Sequence, residues 1–162
     1  MAKVEHLDIQ DVYDHCLETW GPASLPELTK IKVTLEPFMT RALGRAMPPV
    51  FKRHNKMVRR DYYSLTFSRP WLAALAKLCG EEVTKAQFRD VVIHELAHIA
   101  CFHTYPQFNI GHGFAWQEFT EKAGARPTKY FWEHGDDEYV MGSDVTWQEV
   151  ATFKSENGYG RY

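Results

Sequence analysis

Two histidines and a glutamate that could share one chemical role stand in the segment H-E-L-A-H, as His94, Glu95 and His98. On a helix, the four-residue spacing places both imidazoles on one face, with their Cβ atoms about 5–6 Å apart. One Zn²⁺ can bridge that separation, because each imidazole nitrogen binds the ion at about 2.0–2.1 Å. The glutamate can then reach a zinc-activated water, and this pattern is typical of peptide-bond hydrolysis.

A catalytic zinc site usually has three protein ligands, so a third must follow the motif. We favour His112, because the chain has room to leave the helix and return, and because Gly111 and Gly113 let the loop approach the metal closely. The next helix would anchor this loop by packing Phe114, Trp116 and Phe119 against the core. These residues predict one catalytic Zn²⁺ on His94, His98 and His112, with Glu95 as catalytic base.

Other ligands remain open at this point. Glu118 or Glu121 on the following helix is the main alternative to His112. His103 is expected to point away, since nine residues after His94 is half a turn out of phase on a continuing helix. The further donor that stabilises the developing oxyanion is not determined, and the candidates are Tyr62, Tyr63, Tyr105, Tyr130 and Arg126.

The elements that must position these residues follow from hydrophobic periodicity and turn signals. The pattern predicts helices over 9–20, 69–79, 84–102 and 114–123, and strands over 31–36, 41–47 and 61–67. Ser68 is placed to cap the second helix and Thr84 the third. Consecutive strands with short connections favour an antiparallel meander, so the expected fold class is α+β with a three-stranded antiparallel sheet. No clear periodicity follows residue 127.

Composition excludes several classes of protein. No apolar run approaches the roughly 18 residues that a membrane helix requires, and the first residues do not resemble a signal peptide. Three widely spaced cysteines form neither a disulfide framework nor a C-x-x-C zinc ribbon. These features favour a cytoplasmic or nucleoid-associated protein that is neither secreted nor bound to a membrane.

Charge is unevenly distributed along the chain, although the net charge is only −2. Residues 37–60 contain no acidic residue, whereas residues 133–156 hold seven acidic residues and one lysine. The basic residues of the first segment are candidates for binding nucleic acid: Arg41, Arg45, Lys52, Arg53, Lys56, Arg59 and Arg60. Nearby aromatics could stack on unpaired bases. The alternative is a solvated hairpin that only balances the acidic tail.

The ligand pattern resembles the SprT-like family of zinc metallopeptidases, which includes the Spartan-type proteases of DNA-protein crosslinks. The resemblance rests on H-E-L-A-H at 94–98, G-H-G at 111–113, Trp116 and Gly124, and more loosely on A-L-G-R-A at 42–46. It covers roughly residues 31–127. A family member would have a minimal zincin domain, here residues 1–126, with zinc on His94, His98 and His112 and Glu95 as general base. Residues 127–162 would form an acidic, aromatic-rich extension.

The resemblance implies a zinc endopeptidase whose substrate is protein, with DNA as a further partner in crosslink repair. The chain departs from the family pattern in having no zinc ribbon and an acidic tail. Two other functions therefore stay open. One is a non-catalytic zinc-containing adaptor or DNA-associated module. The other is a zincin with a downstream glutamate ligand that cleaves a repressor.

Overall fold

The structure of the protein is a computed structural model that describes residues 3–4, 7–39, 41–127 and 139–156. The described residues form an α+β fold with small sheets and several helices, which confirms the predicted class. In chain order the elements are β1 (Lys3–Val4), β2 (Leu7–Asp8), α1 (Ile9–Trp20), β3 (Ile31–Glu36), β4 (Gly44–Met47), β5 (Val50–Arg53), β6 (Lys56–Arg59), β7 (Tyr63–Ser68), α2 (Arg69–Cys79), α3 (Glu81–Thr104), α4 (Phe114–Lys122) and α5 (Trp147–Glu156).

The three-stranded sheet is mixed, so the predicted antiparallel meander is wrong. Strand β7 lies in the middle, parallel to β3 and antiparallel to β4. A parallel pair requires a long connection, and here the chain between β3 and β7 carries both β4 and the β5–β6 pair. Alternating hydrophobicity identified the strands, but it does not determine which strands pair. Burial is deepest on β7, where Leu65 and Phe67 are fully buried.

Strands β5 and β6 form an antiparallel hairpin, which the sequence offered only as an alternative for the basic segment and without predicted strands. Its two turn residues, His54 and Asn55, both have positive φ angles, at 52° and 63°. This conformation is typical of the two-residue turns that match the twist of the flanking strands. The sequence signal for this turn is weak, because histidine is an unusual residue at such a turn. The hairpin carries much of the basic segment 37–60.

Helix α3 is the centre of the fold, and 14 of its 24 residues are buried. A helix that is covered on most sides is hydrophobic on several faces. Its hydrophobic residues therefore show a weaker helical periodicity in the sequence than those of a surface helix. The helix begins at Glu81 instead of after Thr84. The Thr84 hydroxyl donates a hydrogen bond to the Gly80 carbonyl at 2.7 Å, so Thr84 lies inside the first turn.

Helices α1, α2 and α4 each contact α3, and all three were predicted well. Helix α1 contacts both α3 and α4, and the Trp20 indole donates a hydrogen bond to the Phe119 carbonyl at 2.7 Å. Helix α2 begins after Ser68, whose hydroxyl accepts a hydrogen bond from the Trp71 amide, as expected for a cap. Both Ser68 and Trp71 are buried.

Helix α5 was not predicted, and it packs against α2. Its Trp147 ring lies 6.2 Å from the ring of Trp71, and Val140, Trp147 and Val150 belong to the buried core. The part of the extension that the structure describes, residues 139–156, therefore shares its core with the helices that precede it. The division of the chain at residue 126 stays a prediction.

Within the part of the chain that the structure describes, no helix is both long and apolar enough to cross a membrane.

Candidate metal centre

Three histidine side chains converge at the C-terminal half of α3. His94 and His98 lie on this helix one turn apart, and His112 approaches from the loop that precedes α4. The Nε2 atom of His112 lies 3.2 Å from Nε2 of His98 and 3.3 Å from Nε2 of His94. Donor atoms of all three side chains lie within 4.8 Å of one another, and the cluster could hold a metal ion.

The spacing of the nitrogens matches the size of a small tetrahedral ion. Two imidazoles bound at about 2.0–2.1 Å with a tetrahedral angle place their nitrogens about 3.3 Å apart. The distances of His112 Nε2 to the two helical histidines are close to this value. Three neutral imidazole nitrogens are also a donor set that zinc and similar transition metals prefer. The residues therefore fit a metal of this kind.

The loop that carries His112 is held in place by local hydrogen bonds. Gly111 has a φ angle of +55°, which favours glycine, and the amide of Gly113 donates to the Ile110 carbonyl at 2.9 Å. A Cβ atom at position 113 would lie 3.0 Å from that carbonyl oxygen. The Gln117 side chain donates to the carbonyl of His112 at 3.0 Å. Gly111 thus adopts a backbone angle that favours glycine, and Gly113 allows a close approach of the loop backbone to Ile110.

Trp116 on α4 forms the support of the cluster. Its buried indole donates a hydrogen bond to the His94 carbonyl at 3.1 Å. The ring lies 4.6 Å from the rings of both His94 and His112, and it stacks on His98 at 5.4 Å.

The predicted packing of α4 holds for Trp116 and for half-buried Phe119, but it is wrong for Phe114, which is 92% exposed. Phe114 is the first residue of the helix, and its side chain faces solvent.

Glu95 is the buried carboxylate of the site. Its Oε1 atom lies 4.0 Å from Nε2 of His94 and 4.0 Å from Nε2 of His98. Burial raises the pKa of Glu95 to about 8, and the charge of Arg45 opposes this shift only in part. The positive charge of a bound metal ion would oppose it further.

The two helical histidines are neutral in this environment. Burial, followed by repulsion from the other imidazoles, lowers the pKa of His94 to about 2. Burial, followed by repulsion from His112, lowers the pKa of His98 to about 3. A neutral imidazole keeps a lone pair for a metal, so both residues can act as ligands without first losing a proton.

The alternative ligands lie outside the cluster, which among the described residues contains only the three histidines. Glu118 and Glu121 are exposed, and Glu118 forms an ion pair with Lys122 at 3.1 Å. His103 is also exposed, with its Nδ1 atom 3.2 Å from the Tyr63 hydroxyl. Cys101 is buried against Ala97 and Trp116. The structure thus favours His112 over a downstream glutamate.

A cleft of about 390 Å³ opens over the histidines. Its walls are residues 41–46 on one side and residues 109–112 on the other, with α3 as the floor. Besides the histidines and Glu95, its polar side chains are Arg41, Arg45 and Asn109. We call this space the metal cleft.

Within the described part of the chain, none of the predicted oxyanion donors lines the metal cleft. The Arg126 guanidinium donates to Gln87 at 3.1 Å and lies 3.5 Å from Asp90, while the Tyr63 hydroxyl lies beside His103. Tyr62 and Tyr105 are likewise absent from the cleft walls, and Tyr130 lies outside the described residues. Tyrosine and arginine were chosen for their chemistry, whereas Asn109 was missed because nothing in its local sequence marks it.

The basic residues 37–60 are divided between two surfaces. Arg41, Arg45 and Arg53 line a polar pocket of about 460 Å³ beside the metal cleft, together with Glu36 and Phe38 among others. We call it the arginine pocket. Arg60 lies over the rings of Phe51 and Tyr62, at 4.9 Å and 5.5 Å. Lys52, Lys56 and Arg59 are exposed on the hairpin.

The fold and the site together define a class of protein: an α+β domain whose central helix and following loop bring together three histidines that could hold a metal ion, beside a buried carboxylate. The model of the SprT-like family matches residues 19–133, more than two thirds of the chain, and the chain belongs to this family. The family is in general metallopeptidase-like. No curated protein and no solved structure matches the chain significantly.

Proposed function

We propose that this protein is a zinc-dependent endopeptidase. The observation that carries the proposal is the arrangement of Glu95 and the histidines. The Glu95 carboxylate lies 4.0 Å from two of three histidine nitrogens whose spacing fits one tetrahedral zinc ion. Membership of the SprT-like family supports the same reaction class.

In the proposed mechanism, His94, His98 and His112 hold one catalytic Zn²⁺ through their Nε2 atoms. When bound, the ion makes water more acidic and polarises the carbonyl of the peptide bond. Glu95 accepts a proton from the attacking water and returns it to the nitrogen of the leaving amine. Trp116 restrains the imidazoles by its contacts with all three rings.

The polar residues of the metal cleft supply the remaining interactions with the substrate. Arg41, Arg45 and Asn109 line the cleft around the histidines. A hydrogen bond from one of them to the carbonyl oxygen of the scissile bond would stabilise its developing negative charge. The sequence candidates for this role lie elsewhere, apart from Tyr130, which the structure does not describe.

The arrangement supports a catalytic site over a structural one. A structural zinc site usually has four protein ligands, whereas the cluster within the described residues has three. Cys101 and His103, the nearby candidates for a fourth ligand, lie outside the cluster. A structural site also has no use for a buried carboxylate beside the ligands, and burying Glu95 is costly without a function.

DNA is proposed as a second partner, bound through Arg41, Arg45, Lys52, Arg53, Lys56, Arg59 and Arg60. The arginine pocket is a place where phosphate groups could bind, because it gathers three guanidinium groups beside the metal cleft. Action on DNA-associated proteins, in the cytoplasm, is part of this proposal. The free thiols of Cys16, Cys79 and Cys101 are compatible with a reducing compartment.

The first test is cleavage of a DNA-binding protein by the zinc-loaded enzyme, with and without single-stranded DNA. The control is the variant Glu95→Gln, which keeps the size of the side chain but cannot accept a proton. We expect the enzyme to cleave the substrate, and E95Q to be slower by about 10²–10⁴-fold at unchanged zinc content.

Each outcome has a definite meaning. Cleavage that requires both Glu95 and DNA would support a protease activated by DNA. Cleavage at the same rate with and without DNA would support the peptidase function and exclude DNA as an activator. A preparation that holds one zinc per chain but cleaves nothing under either condition would contradict the proposed reaction and favour the adaptor role.

A further inference from the structure

An apolar groove continues the metal cleft towards the β5–β6 hairpin. It has a volume of about 840 Å³ and shares Phe102 and Asn109 with the cleft. Most of its lining is aromatic or proline: Pro48, Pro49, Phe51, Tyr63, Phe102, Pro106 and Phe108. The groove and the cleft are thus neighbouring parts of one channel.

The same two segments of the chain form both walls of this channel. Residues 41–46 border the metal cleft, and residues 48–52 continue that wall along the groove. On the opposite side, residues 109–112 border the cleft and residues 106–109 border the groove. A peptide extended between these walls at the histidines would place neighbouring residues in the groove, since each extended residue advances about 3.3 Å.

The chemistry of the groove selects the kind of side chain that it can hold. Phe108 is 61% exposed although it is a large apolar residue, and Val50, which also lines the groove, is exposed as well. Exposed apolar surface next to a reactive site is typical of a binding surface. The groove contains one cation, Lys52, whereas three arginines lie in the arginine pocket. A polyanion is therefore better matched to the arginine pocket than to the groove.

We propose that the apolar groove is a specificity subsite, which binds a bulky apolar side chain of the peptide substrate near the scissile bond. Phe108 and Phe102 form the contact with that side chain. The proposal rests on the proposed peptidase function and adds the class of residue at which the enzyme cleaves. Phenylalanine, leucine and methionine fit this chemistry, and small or charged residues do not.

The test compares peptides that differ at one position only, with phenylalanine or alanine there, and locates each cut by mass spectrometry. We expect kcat/KM to be at least about 10-fold higher for phenylalanine at one fixed distance from the cut, as hydrophobic pockets commonly achieve. Phe108→Ala should reduce this ratio to about 2-fold. Phe114→Ala is the matched control, because Phe114 is 92% exposed and lies outside the groove lining.

Binding to the zinc-loaded Glu95→Gln variant separates this proposal from the proposed function. Labelled peptides are titrated with E95Q and with E95Q/F108A, and fluorescence anisotropy is followed. Preferential binding of the phenylalanine peptide that F108A abolishes would support the groove, even if the wild-type enzyme cleaved nothing. Cleavage without any apolar preference would overturn the groove proposal while leaving the peptidase intact. A different result would be that F108A binds an oligonucleotide more weakly while its preference for the phenylalanine peptide stays unchanged. That result would overturn the groove proposal and show that Phe108 belongs to a surface on which bases stack.

Discussion

Gly44 on strand β4 faces Glu95 on helix α3 so closely that no side chain fits between them. A Cβ atom at position 44 would lie 3.0 Å from Cγ of Glu95 and 3.1 Å from its Oε2 atom. It would also lie 3.1 Å from a methyl carbon of Val91. A glycine within a strand often marks such a close approach. Here the missing side chain lets the edge of the sheet cover the carboxylate.

The first prediction concerns this contact. Gly44→Ala should lower kcat/KM by about 10-fold or more, because a displacement of about 1 Å at a catalytic group is costly. The zinc content should not change, since the three atoms nearest to a Cβ at position 44 belong to Glu95 and Val91 and not to a histidine. Gly44 does not have a positive φ angle, so alanine suits its backbone, and a loss of activity would come from the contact. Unchanged kinetics in G44A would show that Glu95 has room to adjust.

The second prediction concerns the ligand set. Alanine at His94, His98 or His112 should weaken zinc affinity by about 100-fold or more, since each removes one of three ligands. His103→Ala and Glu118→Ala are the controls and should bind zinc like the wild type. Competition with a chromophoric chelator measures the affinities. Zinc retained by H112A but lost by a Glu118 or Glu121 variant would establish the downstream glutamate instead.

The third prediction concerns the support of the cluster by Trp116. Trp116→Phe removes the hydrogen bond to the His94 carbonyl, which alone should cost about 0.5–1.5 kcal/mol of stability, and the smaller ring adds the cost of a void at this fully buried position. It should also weaken zinc binding by roughly 10-fold, the lower range for groups that orient ligands. Trp20→Phe is a matched control, because it loses an indole hydrogen bond to Phe119 away from the histidines. Equal zinc affinities in the two variants would leave Trp116 with a packing role only.

The fourth prediction concerns stability against pH after zinc has been removed with a chelator. Near pH 5.5 the unfolded chain protonates His94 and His98, whose folded pKa values are about 2 and 3, so unfolding takes up two protons. Glu95 has a folded pKa of about 8 and releases one proton on unfolding. The net uptake of about one proton means that stability falls by about 1.4 kcal/mol per unit as pH decreases from 6 to 5.

Glu95→Gln removes the one group that releases a proton on unfolding. The stability of this variant should therefore fall about twice as steeply as that of the wild type when the pH decreases from 6 to 5. Between pH 7 and 8 the sign reverses for the wild type. Of these three groups Glu95 makes the largest contribution there, and its raised pKa makes stability fall as the pH rises. The stability of the E95Q variant should change little with pH between 7 and 8. Chemical denaturation at each pH measures both slopes, and parallel curves for the two proteins would refute the raised pKa.

The fifth prediction concerns nucleic acid. Arg53→Glu and Lys56→Glu should each weaken binding to single-stranded DNA and reduce the salt dependence of the affinity by about one ion per lost phosphate contact. Lys85→Glu, an exposed charge reversal near the start of α3, is the control. Titrations at several salt concentrations give the slopes. If K85E weakened binding as much as R53E, the effect would reflect net charge and not a site.

The sequence by itself indicated the proposed chemistry of this protein and most of its local elements. The spacing of His94, Glu95 and His98 on a helix follows from the helical period, and the glycines beside His112 indicated a loop that could approach the metal. Helix α2 was recognisable from its caps, Ser68 and Gly80. Such signals are readable because they depend on neighbours along the chain.

Only the tertiary structure decided which distant segments meet. The parallel pairing of β3 with β7 depends on how the chain between them folds, which strand periodicity does not contain. The burial of Glu95 under Gly44, the contacts of Trp116 with three imidazoles, and the channel walls at 41–52 and 106–112 have the same origin. Each depends on packing between residues far apart in sequence, where shape, and not local preference, determines the contact.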